Sequence, residues 1–362
     1  MPYTIYHNQP EPEPKSAFPC RGGGSRAPTV KVSGSAFKFC DEVGGDKERV
    51  AMSDQNSIRS LSPELASKAQ KELGEVPDRI EEDIDTLRTW ISKQPHLKAR
   101  QDAQFLIAFL RGCKYSLEKT KLKLDNFYAM RGVVPELYKN RFVGEKQMGI
   151  LETGCLLRLP QPLGADGPRI HISRYGLYDS KKYSIAEVVQ VSTMIGEIQI
   201  REDDNAMISG FVEIIDMKGV GAGHIFQFDA VLVKKLAVLG DKALPYRPKG
   251  FHFVNAPASA ETFMSIAKSL MSEKIRKRFH IHTKLESLYK YVPKECLPAE
   301  YGGSNGTIDD VVTTWREKLL SYQNFFEEEV SYGTNEKLRR GDAVNVESLF
   351  GIEGSFRKLD ID

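Results

Sequence analysis

An alternation between residues 155 and 257 most narrows the fold of this chain. Short apolar runs, CLLRLP (155–160), RIHISRYG (169–176), GFVEIID (210–216) and GFHFVNAP (250–257), bracket helical periodicity near 185–201 and 228–239. Strands interleaved with helix-length segments need crossover connections, because parallel neighbours cannot be joined by a tight turn. The sequence therefore predicts an α/β fold on a largely parallel or mixed sheet.

A helical region precedes the sheet. Ser62-Pro63 opens one helix, with Leu65, Ala69 and Leu73 on one side. Ile80, Ile84, Leu87 and Ile91 repeat at helical spacing, as do Phe105, Leu106, Phe109 and Leu110; Leu117, Leu124 and Phe127 resume it after a break at Gly112. The expected layout is a disordered leader over residues 1–55, a small all-helical domain over 60–145, the sheet domain over 150–305, and a helical and polar tail over 306–362. Within that tail a helix is expected near 311–326. Met52 opens the ordered-looking sequence, so the first 51 residues read as an alternative or extended amino terminus.

Composition excludes several partners. Fifty-one basic against 49 acidic residues leave a formal charge of +2, so bulk electrostatics give no support to nucleic-acid binding and an anionic partner needs a local patch. The five cysteines, at 20, 40, 113, 155 and 296, show no CxxC spacing, which argues against a disulfide framework or zinc site. No basic segment followed by an apolar run opens the chain, and no apolar run reaches membrane-spanning length. The expectation is a cytoplasmic monomer. Asn305-Gly306-Thr307 matches a glycosylation sequon but reads as turn chemistry.

Motifs for chemistry are weak. Gly219, Gly221 and Gly223 follow a strand, but in GxGxG spacing without the third glycine of a dinucleotide fingerprint or the GK[ST] of a phosphate loop. There is no HExxH, and GGSNG (302–306), which spells GxSxG, lies in a turn-rich stretch rather than at a strand-to-helix nucleophile elbow. His280 and His282 alternate and would need a third ligand to hold a metal; Glu197, Glu202, Asp203 and Asp204 read as a solvated helix end. No enzyme activity, metal or cofactor is expected.

The segment NAPASAETFMSIAKSLMSEKIRKR (255–278) carries a different signal. Phe263, Ile266, Ala267, Leu270 and Met271 form an apolar helical stripe that runs into Lys274, Arg276, Lys277 and Arg278. Such a helix can cover something apolar while its end meets an anionic surface. An ordinary helix docked on a core, with cations placed by its dipole, carries the same pattern. Phe211, Val212, Ile214 and Ile215 on one strand, Phe251 and Phe253 on another, and Phe226 and Phe228 between them supply apolar bulk for either a core or a cavity.

Five stretches in order, FLIAFLRGCKYSLEKTKLKL (105–124), FVEIIDMKG (211–219), KKLAVLGDKALPYRPKGFHFVNAP (234–257), EKIRKRFHIHT (273–283) and LPAEYGG (297–303), resemble the CRAL-TRIO family of Sec14-like lipid-binding proteins. The resemblance covers Glu75 to Gly303 and is to the animal branch that includes the tocopherol transfer protein and the cellular retinaldehyde-binding protein. It implies a sheet domain whose hydrophobic cavity lies under a helical gate. Phe211, Phe226, Phe228, Phe251 and Phe253 are then cavity candidates, and Phe263, Ile266, Ala267, Leu270 and Met271 gate candidates. It further implies a phosphoinositide site at Arg247, Lys249, Lys274 and Arg278, with Arg111 either touching lipid or bracing two domains. Gly219–Gly223 departs from the bulkier stretch usual after that strand.

The implied function is binding and intermembrane transfer of a small hydrophobic ligand, a retinoid, tocopherol or similar, with phosphoinositide-assisted release and transient peripheral membrane association. The alternative is a phosphoinositide-binding membrane adaptor without dedicated cargo.

Overall fold

Ser62 begins the described helical region: its Oγ accepts from the Leu65 N–H and Pro63 takes the first position of α1 (Pro63–Lys68). The computed structural model describes residues 57–257, 264–265, 268–269 and 272–350, the side chain of Glu347 excepted. The leader expected over 1–55 lies outside them. α1 continues as a wider turn, Ala69–Leu73, and stops on Gly74, whose φ of 75° suits a residue without Cβ. α2 (Ile80–Ser92) buries Ile84, Leu87 and Ile91. After β1 (Leu97–Lys98) come α3 (Ala103–Gly112), capped by Asp102, and α4 (Leu117–Val133). Two shorter helices, α5 (Pro135–Tyr138) and α6 (Glu145–Glu152), lead to the sheet.

The sheet has five strands in the order β2 (Leu156–Arg158), β3 (Arg169–Ser173), β4 (Phe211–Asp216), β5 (Pro248–Val254) and β6 (Phe279–Ile281). β2 is antiparallel to β3, and the remaining pairs are parallel. The mixed sheet is thus one of the two arrangements the alternation allows. α7 (Ile185–Glu202), held at its start by a Ser184–Glu187 capping box, and α8 (Asp204–Ser209) connect β3 to β4. α9 (Ala222–Ile225) and α10 (Ala230–Val238) connect β4 to β5.

One face of the sheet is packed solid. Ile170, Ile172, Val212, Ile214 and Val254 bury against Leu288, Val292, Leu297 and Val311. β6 was not legible as a strand because its run, FHI, is three residues long and sits beside a charge cluster. The helix expected near 311–326 is two, Ile308–Ser321 and Gln323–Glu329, parted at Tyr322. Part of the segment that reads as a polar tail is docked. β7 (Gly333–Thr334) pairs with β1, Arg339 binds Asp125, and Leu349 and Phe350 are buried. No helix among the described residues is long and apolar enough to cross a membrane.

Arg111 ties the helical region to the sheet region. It is 1% exposed, donates to both carboxylate oxygens of Glu75 at 2.8 and 3.2 Å, and donates from Nη1 to Asp204 Oδ1 at 2.8 Å. Tyr115 Oη adds a 2.7 Å bond to Glu75. Removing the guanidinium leaves buried Glu75 with the Tyr115 hydroxyl but no cation, while Asp204 keeps Arg59 and Gln104, so Arg111→Met should lower stability by about 3–5 kcal/mol. Urea unfolding followed by circular dichroism measures it; a loss within experimental error would show that the network contributes nothing net.

Candidate functional site

Period-two geometry sends alternate residues of β4 to opposite faces, and the face away from the packed core borders a cavity of about 1750 Å³. Phe211 and Ile215 of β4 and Phe251 and Phe253 of β5 line it from the sheet; Phe228, Val233 and Leu236 line it from the α10 side. Four of the five phenylalanines named as cavity candidates therefore meet here. Phe226 does not. It is 84% exposed and outside the lining, because it ends the four-residue α9 in a turn where neighbours two apart need not share a side. The gate candidates Phe263, Ile266, Ala267, Leu270 and Met271 lie outside the described residues. Met264, which is described, is buried with Met217, Phe253 and Phe279 beside this wall.

The basic candidates Arg247, Lys249, Lys274 and Arg278 all border the cavity. Their surroundings differ. Lys274 is exposed. Lys249 lies 3.8 Å from Glu72, and desolvation holds its ammonium pKa below the ordinary lysine value. Arg247 is 3.5 Å from the same carboxylate and donates to the Ile208 carbonyl; burial lowers its pKa as well. Arg278 donates to the Pro248 carbonyl. Arg111 is not part of this group's exposed surface. Its guanidinium is buried and held by carboxylates, so of its two expected roles the geometry supports the brace. Lys123 of α4 also borders the cavity and donates to the carbonyls of Asp241 and Leu244.

A polar patch on the cavity face went unread in the sequence. Arg158, His171 and Glu213 occupy one cross-strand row on β2, β3 and β4, continued by Phe251 on β5 and Phe279 on β6. Ser173 Oγ donates to Glu213 Oε1 at 2.6 Å, His171 Nδ1 is 3.4 Å from Glu213 Oε2, and His171 stacks on Phe211. Gln199 of α7 meets His171 Nε2 at 3.2 Å. The available signal was a carboxylate alternating with apolar residues in FVEIID, but only the strand register reveals its partners.

On the packed face, His252 Nδ1 and His282 Nε2 are 2.9 Å apart, and His252 stacks on His280. No group of three or more metal-ligating side chains occurs among the described residues. Gly219 turns the chain with φ 79° after β4, leading into α9.

Comparison with known proteins agrees with this architecture. The CRAL/TRIO domain pattern matches residues 160–303, and the Pinta-like UBA domain pattern matches 76–148. A human alpha-tocopherol transfer protein-like protein is 30% identical over 274 residues, covering 75% of this chain and 79% of its own. The chain belongs to the CRAL/TRIO family. Clavesin-1 of Xenopus laevis is 28% identical, covering 72% of this chain and 78% of its own length. Human clavesin-2 is 27% identical, with 73% and 80% covered.

Two buried histidines should make this fold acid-sensitive. Burial, reinforced by Arg158, lowers His171 to about 4, and burial lowers His252 to about 3. Both are neutral when folded, whereas the unfolded chain takes up their protons below about pH 6.5. Stability should therefore fall as pH drops from about 6.5 toward 4, by up to about 1.4 kcal/mol per pH unit per histidine. His252→Phe should flatten the slope of urea midpoint against pH over that window. An unchanged slope would mean that the histidine keeps its ordinary pKa in the fold.

Proposed function

We propose that this chain binds one small hydrophobic ligand in its cavity and transfers it between membranes, with a phosphoinositide-bearing surface assisting release. The cavity carries this reading. At about 1750 Å³ it is roomier than the ~300–1,000 Å³ of ordinary small-molecule sites, and aromatic and aliphatic side chains supply much of its wall. Similarity to a protein named for tocopherol transfer supports the same ligand class. Burying about 200–300 Å² of apolar ligand surface contributes about 5–8 kcal/mol before association costs, so release needs the wall to open. The segment 255–278 is the proposed gate. An anionic membrane that accepts the gate's apolar stripe and basic end lowers the barrier to opening.

Lys249, Lys274, Arg247 and Arg278 are the proposed phosphoinositide contacts. Lys274 is the best placed for a first encounter because it is exposed, while Arg247 must give up part of its pairing with Glu72. The adaptor alternative expects an apolar interior filled by side chains, and a cavity of this size weighs against it.

Mass spectrometry of lipid extracted from purified protein should find a single class of apolar molecule, and the protein should accelerate its movement between liposomes. Protein that neither yields nor moves any lipid would leave the adaptor reading in possession. Reversing Lys249 and Lys274 together to Glu should weaken association with phosphoinositide-containing liposomes by about tenfold to a hundredfold, at about 1 kcal/mol per basic residue lost. Ligand affinity in solution should hardly change. Cosedimentation beside a fluorescence titration separates the two effects, and equal loss of both would point to misfolding.

A further inference from the structure

We propose that the carboxy-terminal strap from Gly333 to Phe350 closes a second mouth of the cavity, between α10 and α4, and that Leu349 and Phe350 set how long the cavity keeps its occupant. The inference rests on the proposed cargo function and adds to it a point of exit apart from segment 255–278.

The first ground is the path of the strap. It starts in the helical region, where β7 pairs with β1, and Arg339 next grips both carboxylate oxygens of Asp125 on α4. Arg339 also binds Glu336, which accepts the Val344 N–H at 2.8 Å. Asn345 Oδ1 accepts from the Ser348 N–H at 2.8 Å and starts the short helix Val346–Phe350. The far end is seated. Leu349 is 6% and Phe350 3% exposed, and both share a core with Leu232 and Val238 of α10 and with Leu239 and Ala243 after it. Lys242 Nζ donates to the Leu349 carbonyl at 2.8 Å. One end of the strap is thus fixed to α4 and the other to the α10 wall.

The second ground is what the strap borders. Val344, Leu349 and Phe350 line the same cavity as Val233 and Leu236 of α10 and Lys123 of α4. A helix beside a cavity has forfeited packing on that side, so each apolar residue that does pack on it counts for more in holding it. From α4 the turn after α10 receives polar bonds: Lys123 donates to the carbonyls of Asp241 and Leu244, and Asn126 to that of Lys242 at 3.2 Å. The strap adds apolar support to that seam.

The third ground is ease of release. Between the two ends Gly341, Asp342 and Ala343 are exposed, and Gly341 turns the chain at φ 99°. The strap contributes no strand to the five-stranded sheet, so Leu349 and Phe350 can leave without parting its strands. Segments held by few buried side chains open at lower cost than the whole fold. The strap also lies beyond residues 160–303, so this closure is no part of the matched CRAL/TRIO pattern.

The test follows release of an apolar probe from the full chain. Bound diphenylhexatriene is passed to phosphatidylcholine vesicles carrying an NBD-labelled lipid, and loss of its emission by energy transfer gives the rate. Phe350→Ala should speed release about tenfold or more, because removing a buried ring weakens the closed form and raises the open share. Lys242→Met, at an exposed position, loses the bond to the Leu349 carbonyl and should speed release about threefold. Val292→Ala, on the packed face, should leave it within about twofold of the parent. Both gains should be the same with and without phosphoinositide in the vesicles. In Phe350→Ala, amide exchange should quicken over α10 and the turn after it and hardly change in β4.

Release from folded Phe350→Ala and Lys242→Met within about twofold of the parent would overturn the strap while diphenylhexatriene binding upheld a cargo cavity. A gain seen only with phosphoinositide would assign exit to segment 255–278, and an equal gain in Val292→Ala would mean general loosening; either result overturns the second mouth. A parent protein that takes up no diphenylhexatriene would sink the cargo reading itself, and the strap's role with it.

Discussion

The pleat of β4 sets what the rest of the molecule can be. Successive side chains leave a strand on opposite faces, so Val212 and Ile214 are committed to one side and Phe211, Glu213 and Ile215 to the other. The first side is closed by Leu288, Val292, Leu297 and Val311, and dispersion across that dense layer holds the strands together. The second side is released from that duty. It can leave space unfilled and carry polar groups, both of which would be destabilising in the middle of a single core.

How much of this could be read from the chain depended on how local each signal was. Alternation within FVEIID and GFHFV marked two strands, and Ser62-Pro63 marked a helix start, because each pattern is complete within a few residues. β6 is three residues of mixed character and took its strand conformation from pairing with β5, which no local window contains. The docking of Leu349 and Phe350 was hidden because Val346, Leu349 and Phe350 give only a single turn of helical spacing within a polar stretch. Alternation put Phe251 and Phe253 on one side of their strand, but their place at a cavity was implied only by the family resemblance, which misplaced Phe226 because it lies in a turn. The polar patch was the least legible feature. Its members come from residues 158, 171, 173 and 213, and only the register of three strands makes them neighbours.

Electrostatics divide the cavity into regions that obey different rules. Around Lys249 and Lys274 charge is partly in contact with water, so its attraction for anions is long-ranged and screened by salt. Around Glu213 and Arg158 solvent is largely excluded, and geometry decides which groups are tolerated. Ionic strength can therefore weaken the pull of the outer cations on an anion while leaving the buried charges nearly untouched.

The helical region and the sheet region are joined by more than a linker. Arg111 answers to Glu75 on one side and Asp204 on the other, and Phe105, Phe109 and Leu124 share a core with Ile200, Ala206 and Met207. Gly112 lies so close to Pro245 that an added Cβ would fall 2.2 Å from its carbonyl oxygen. A change of volume at Met207 has to be answered at a residue such as Phe105, so the boundary between the segments matched by the two domain patterns is no boundary in the core, and neither segment can be repacked or exchanged alone.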